Sequence, residues 1–100
     1  MKTTIQKQDG NMVAILEGRL DTAAAPETEK AMNAFSDFEG QNIIIDCTRL
    51  DYISSSGLRI FLKTLKIAHD KGGHVYIKGV NDGVHAIFAM TGFDNIFEFV

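Results

Sequence analysis

Three consecutive hydroxyls, Ser54, Ser55 and Ser56, followed by Gly57, stand between an apolar run and an amphipathic one. Hydroxyl chemistry has two outlets there. One is capping, in which a serine side chain accepts a hydrogen bond from a backbone N–H that the start of a helix leaves unpaired. The other is modification: a phosphate on such a serine lies beside the same N–H groups and the positive end of the helix dipole, so the fold tolerates it while its surface changes. A residue so placed suits a switch better than a catalyst. From spacing alone, caps and turn residues remain a full account of all three serines.

Nucleophilic catalysis needs more than a hydroxyl. A Gly-x-Ser-x-Gly elbow has a glycine two places before the nucleophile, and Ile53-Ser54-Ser55-Ser56-Gly57 lacks it. His69, His74 and His85 are scattered without metal-ligand spacing, and Cys47 reads as a small buried hydrophobe, so no catalytic residue, metal or cofactor is expected. Asp46, placed at the end of an apolar strand, either caps the loop that follows or faces a partner. Asp46 and Lys78 also imitate the aspartate and lysine of a phosphorylated receiver, but the acidic pair that would hold Mg2+ is missing, because the first strand runs into Gln8-Asp9-Gly10.

The elements that position these residues follow from periodicity. Residues 3–7 and 12–17 read as strands joined at Asp9-Gly10, a strong hairpin signal. Residues 24–37 predict a helix with Pro26 and Glu27 at its start, an apolar stripe of Ala31, Met32, Phe35 and Phe38, and Gly40 as its stop. Residues 42–47 form a continuous apolar run, the pattern of a central parallel strand covered on both faces. A second helix over 57–71 carries Leu58, Phe61, Leu62, Leu65 and Ala68 inward with Arg59, Lys63 and Lys66 outward, and Gly72-Gly73 ends it. Residues 74–78 return as a strand, so strand, helix and strand make a right-handed parallel crossover. Asn81 or Asp82 caps a third helix carrying Val84, Ile87 and Phe88, Gly92 ends it, and the Phe-rich stretch 93–100 closes the core. The fold class is α/β: one domain over residues 1–100, a mixed central sheet with an N-terminal hairpin, and helices packed against it.

Composition limits the partners. One hundred residues, 45% of them hydrophobic, match a single core. A net charge of −3 argues against a nucleic-acid surface, which carries a basic excess. The single cysteine, the polar first ten residues and the lack of ~20 consecutive apolar residues point to the cytoplasm, with no membrane insertion.

Three pieces in this order and spacing resemble a STAS domain of the bacterial anti-sigma factor antagonist type along essentially the whole chain: Gly18-Arg19-Leu20-Asp21, then Ile45-Asp46 with Ile53-Ser54-Ser55-Ser56-Gly57-Leu58, then Thr91-Gly92-Phe93-Asp94-Asn95-Ile96-Phe97. The resemblance implies a non-enzymatic phosphoprotein. Unphosphorylated, it binds an anti-sigma factor that is also a serine kinase and frees a sigma factor; the kinase modifies the serine before the glycine, Ser56 here, and a serine phosphatase of the PP2C type resets it. Many members resemble an Asp-Ser-Ser-Gly or Asp-Ser-Thr-Gly run, whereas here Ser54 takes the acidic position and Asp51 lies three residues earlier, so Ser55 is carried as a second candidate. Asp21, in the loop after the second strand, is either a helix-entry cap or a support of the serine site. If the loops of Asp21, Asp46 and Asp51 lie together, a phosphate on Ser56 joins an acidic face. Gly57 leaves room for a partner beside Ser56, and Leu58 and Arg59 are expected to border the contact. A STAS module that serves a different signalling or transport partner is the alternative.

Overall fold

The computed structural model describes residues 1–37 and 42–100. β1 (Lys2–Gln8) and β2 (Asn11–Leu20) pair as an antiparallel hairpin. Asp9 and Gly10 turn it, both at positive φ, 52° and 80°, the mirror-image turn whose twist matches that of the strands it joins. β2 lies parallel to β3 (Ile43–Ile53), β3 to β4 (Val75–Lys78) and β4 to β5 (Glu98–Phe99), giving the order β1-β2-β3-β4-β5. The mixed sheet, the hairpin, the central β3 and the crossover from β3 to β4 are as the sequence predicts. β5 is an addition, two residues being too short to show a period. A doubly wound receiver has the order 2-1-3-4-5 with parallel strands, so this topology excludes that reading.

β3 departs from expectation in length and in cover. It runs to Ile53 rather than stopping at Asp46 or Cys47, because β2 accompanies it as far as Leu20↔Ile53 after β4 has left at Asp46↔Lys78. Ile43, Ile45 and Cys47 are fully buried while Ile44 and Asp46 are only half-buried, so one face is sealed and the other open. β2 is likewise longer than the expected 12–17. It absorbs Gly18, at φ 105°, with register shifts at Ile15/Glu17 and Gly18/Arg19.

The helices seal the face made by Ala14, Leu16, Ile43, Ile45, Val75 and Ile77. α1 (Ala25–Met32) continues as a 3-10 turn over Asn33–Asp37, burying Met32 and Phe35. Phe38 and Gly40, expected as the last apolar residue and the stop, lie outside the described residues. α2 (Ser55–Asp70) starts two residues before the expected Gly57 and buries Leu58, Ile60, Phe61, Thr64 and Ala68. Beyond it Gly72 adopts φ 76°, and the N–H of Gly73 donates to the Ala68 carbonyl at 2.8 Å, which satisfies carbonyls the helix end would orphan. α3 (Asp82–Met90) is capped by Asn81, whose side-chain oxygen accepts from the Val84 N–H at 2.8 Å while its amide donates to the Leu50 carbonyl at 3.2 Å. Phe88 centres an aromatic cluster, 5.7 Å from Phe61, 5.7 Å from Phe97 and 5.4 Å from Phe99. The C-terminal phenylalanines thus close the core.

Candidate functional site

The serine run leaves the sheet at a fixed point. Leu20 and Ile53 pair across β2 and β3, and the N–H of Ser54 donates to the Leu20 carbonyl at 2.8 Å. Ser54 is extended (φ −92°, ψ 173°), and its hydroxyl oxygen accepts from the Gly57 N–H at 3.2 Å, which makes it the N-cap of α2. Ser55 and Ser56 form the first helical turn, Ser55 exposed and Ser56 half-buried. Ser56 borders an open groove of about 440 Å³ between α1 and α2, whose walls include Ala25, Pro26, Glu29, Arg59 and Lys63.

Two neighbours of Ser56 face inward instead of outward. A Cβ on Gly57 would sit 2.7 Å from Leu20 Cγ and 2.8 Å from Ile53 Cγ1. Gly57 therefore makes room for the core under the helix start, not for a partner above it. Leu58 is 2% exposed and cannot border a contact; it anchors the turn from below. Arg59 is exposed, as expected.

The three aspartates are placed differently relative to the serine run: Asp21 sits between Leu20, whose carbonyl accepts from the Ser54 N–H, and Thr22, which lines the groove with Ser56, whereas Asp46 lies farther back along β3. Asp21 shapes the entry to α1: its Oδ1 accepts from the Ala24 N–H at 2.9 Å and its carbonyl from the Ala25 N–H at 3.1 Å. Asp51 is exposed on the last stretch of β3. Asp46 lies mid-strand between Ile15 and Lys78 and alternates with the buried Ile45 and Cys47, so it faces the open side of the sheet. From there to Ile53 the strand covers roughly 20 Å at about 3.3 Å per residue. Of the two roles expected for Asp46, local capping fits: its Oδ1 accepts from the Thr48 N–H at 3.0 Å and the Thr48 hydroxyl at 2.6 Å. Partial burial opposes its charge, but these two bonds, with the charges of Lys78 and Arg49, outweigh burial and hold its carboxyl below the ordinary value of 3.8. Burial, helped by the Asp46 charge, pushes the Cys47 thiol far up, which keeps it inert.

The lining of the groove carries more positive than negative charge. Arg59 and Lys63 line it beside Ser56, with Glu29 as its carboxylate, and Lys63 Nζ reaches Glu29 Oε1 at 2.9 Å. Sequence reasoning missed this arrangement, since nothing local pairs residues 34 apart. It also missed Arg19, whose guanidinium stacks 4.6 Å above the Tyr52 ring at the same end of the sheet; their register partnership depends on the β2 shifts. Among the described residues no group of three His, Cys, Asp or Glu could hold a metal, and no helix is long and apolar enough to cross a membrane.

Comparison with known proteins gives a consistent picture. BtrV of Bordetella bronchiseptica, provisionally named an anti-sigma factor antagonist, is 35% identical over 97 residues, covering 97% of this chain and 84% of its own. The anti-sigma-B factor antagonist of Listeria monocytogenes is 27% identical over 95 residues, covering 94% and 83%. Among solved structures, the anti-sigma factor antagonist SpoIIAA in its unphosphorylated form superposes with a TM-score of 0.82 at 20% identity, covering 99% of this chain and 88% of that one. The phosphorylated form of SpoIIAA, a Bacillus cell fate determinant, superposes with a TM-score of 0.73 at 18% identity, covering 99% and 91%. The STAS domain family model matches residues 2–100, from the first strand through the serine turn to the closing phenylalanines, and the chain belongs to the STAS domain family.

Proposed function

We propose that this chain is an anti-sigma factor antagonist whose binding is gated by phosphorylation of Ser56. Unphosphorylated, it binds an anti-sigma factor serine kinase in the cytoplasm and releases the sigma factor. The kinase then transfers the γ-phosphoryl group of ATP to the Ser56 oxygen, leaving ADP and releasing the hydroxyl proton, and the modified chain dissociates. A PP2C-type serine phosphatase hydrolyses the ester and restores binding. The chain itself is regulatory and carries no cofactor; ATP and Mg2+ belong to the kinase.

The observation that carries this reading is the division of labour among the serines. Ser54 has its hydroxyl engaged in the cap, whereas Ser56 stands at the mouth of the α1–α2 groove. Ser55, exposed on the same turn, is the second candidate. The antagonists named among the relatives, and the existence of SpoIIAA in phosphorylated and unphosphorylated forms, support the general role of an antagonist that can be phosphorylated. Energetically the gate is sufficient. A phosphate adds about −1.5 to −2 charges, like charges opposed in an interface cost several kcal/mol, and each ~1.4 kcal/mol is tenfold in affinity.

The test is incubation with the cognate kinase and ATP followed by site mapping by mass spectrometry. Phosphate is expected on Ser56, with none on Ser56→Ala. Undiminished modification of Ser56→Ala would overturn the site, and recovery of a transporter or sensor complex without an anti-sigma factor in a pull-down would overturn the partner.

A further inference from the structure

We infer that the α1–α2 groove is a clamp for the phosphate of this same chain: Arg59 and Lys63 bind phosphoserine 56 in cis, and Lys63 gives up Glu29 to do so. The inference rests on Ser56 being the modified residue and adds what the modification does to the domain that carries it.

The geometry is that of one helix face. Ser56, Arg59 and Lys63 stand three and four residues apart on α2 and line the same groove. Neighbours at such spacing have Cβ atoms about 5–6 Å apart. Helical side chains lean toward the N-terminus, which favours Arg59, one turn from Ser56; Lys63 is two turns away, about 10 Å along the helix axis, and has to leave Glu29 and extend along the groove to reach a phosphate there. Arg59 has no ion-pair or hydrogen-bond partner among the described residues, although it lies one turn from a lysine of like charge. Lys63 is held by Glu29 across the groove at 2.9 Å with both side chains about half exposed, 53% and 45%, a pair of little net worth that a doubly charged group can outcompete. The charged residues that line the groove with Ser56 are Glu29 from α1 and Arg59 and Lys63 from α2; from the β2–α1 loop, Asp21 stands between Leu20, bonded to Ser54, and Thr22, which lines the groove. With two cations against one carboxylate, the groove attracts a phosphate.

The consequence reaches beyond the serine. Once Lys63 turns to the phosphate, Glu29 is left as an uncompensated carboxylate on α1. Modification then presents a partner with two changed charges on two helices, the phosphate on α2 and the released carboxylate on α1. A carboxylate at position 56 carries one charge on two oxygens, where a phosphate carries nearly two on three, so a Ser56→Glu variant can engage Arg59 but should leave the Lys63–Glu29 pair in place.

The experiment uses the full chain with phosphoserine installed co-translationally at position 56, and separately at position 55 as the exposed control. Phosphorus NMR titration reads the second ionisation of each phosphate. The clamp predicts that phosphate 56 ionises about half a pH unit below phosphate 55, the scale of an exposed ion pair. Arg59→Ala should remove most of that difference and Lys63→Met a part of it, while the Lys63 ammonium chemical shift should move on phosphorylation. Equal ionisation at 55 and 56, or a difference indifferent to both substitutions, would overturn the clamp. Kinase binding measured on the same samples separates the two ideas. A shifted phosphate that still binds the kinase sinks the gate and keeps the clamp; an ordinary phosphate that abolishes binding does the reverse.

Discussion

The hydroxyl oxygen of Ser54 accepts a hydrogen bond from the Gly57 backbone N–H at 3.2 Å. This contact lets a serine serve at the position where the family resemblance implied an acidic residue. The position is an N-cap, and Asp and Ser cap helices about equally well. Ser54 thereby anchors the start of α2.

Ser54→Ala is expected to destabilise the domain by about 1 kcal/mol through loss of the cap. That corresponds to a drop of about 4–8 °C in Tm for a domain near this size. Ser54→Asp should hold stability level or raise it slightly, its charge meeting the positive end of α2. Urea unfolding of the three proteins checks this; a neutral Ser54→Ala would mean the cap contributes nothing.

Gly57→Ala separates two effects of opposite sign. Helix propensity alone favours alanine by about 1 kcal/mol, and Gly57 has no positive φ that would demand glycine. The added methyl, however, would fall 2.7–2.9 Å from Leu20 and Ile53 side-chain carbons beneath the helix start, and overpacking of this kind costs about 1–3 kcal/mol. The net expectation is destabilisation, measured by chemical denaturation. A more stable Gly57→Ala would show that Leu20 and Ile53 can retreat.

How far the sequence reached follows from where each signal was local. The Asp9-Gly10 turn, the apolar run at residues 43–45 and the amphipathic period of α2 each sit within one element, and each was legible. The second half of β3 was not, because Thr48, Arg49 and Asp51 are exposed and break the apolar run. Only pairing with β2, through a shifted register, makes those residues a strand. Asp46 looked like a strand end because the apolar run stops there, and β4 does leave at that point; the position of Asp46 relative to Ser56 depends on the strand continuing. The serine turn was legible as a helix start, while the charge around it was not, since Glu29 meets Lys63 only after two helices dock.

Thr28→Val should stabilise the domain. Thr28 is 1% exposed, and its hydroxyl oxygen has no hydrogen-bond partner among the described residues, so folding strips it of water without replacement. Its backbone N–H is already satisfied by the Ala24 carbonyl at 3.2 Å, and valine keeps the branched shape at similar helix propensity. Relief of an unsatisfied buried hydroxyl is worth about 1 kcal/mol or more. A raised Tm for Thr28→Val is the expected reading; a lowered one would reveal a partner that the hydroxyl finds in solution.

Asp46 should make part of the acid sensitivity. Its carboxyl ionises below the ordinary 3.8 in the folded chain, because the two Thr48 bonds and the Lys78 and Arg49 charges outweigh partial burial. A depressed folded value means that the unfolded chain binds the proton first. The stability that Asp46 contributes is therefore complete above the unfolded value and is lost as pH falls through 3.8 toward the folded one. Asp46→Asn keeps an oxygen that can accept from Thr48 but has no charge to lose. Unfolding free energies of the two proteins between about pH 6 and pH 2.5 should accordingly differ most at the upper end and converge at the lower, other carboxylates cancelling in the comparison. A gap that stays constant or widens on acidification would show that burial dominates at this position and that Asp46 is held neutral more readily than its hydrogen bonds imply.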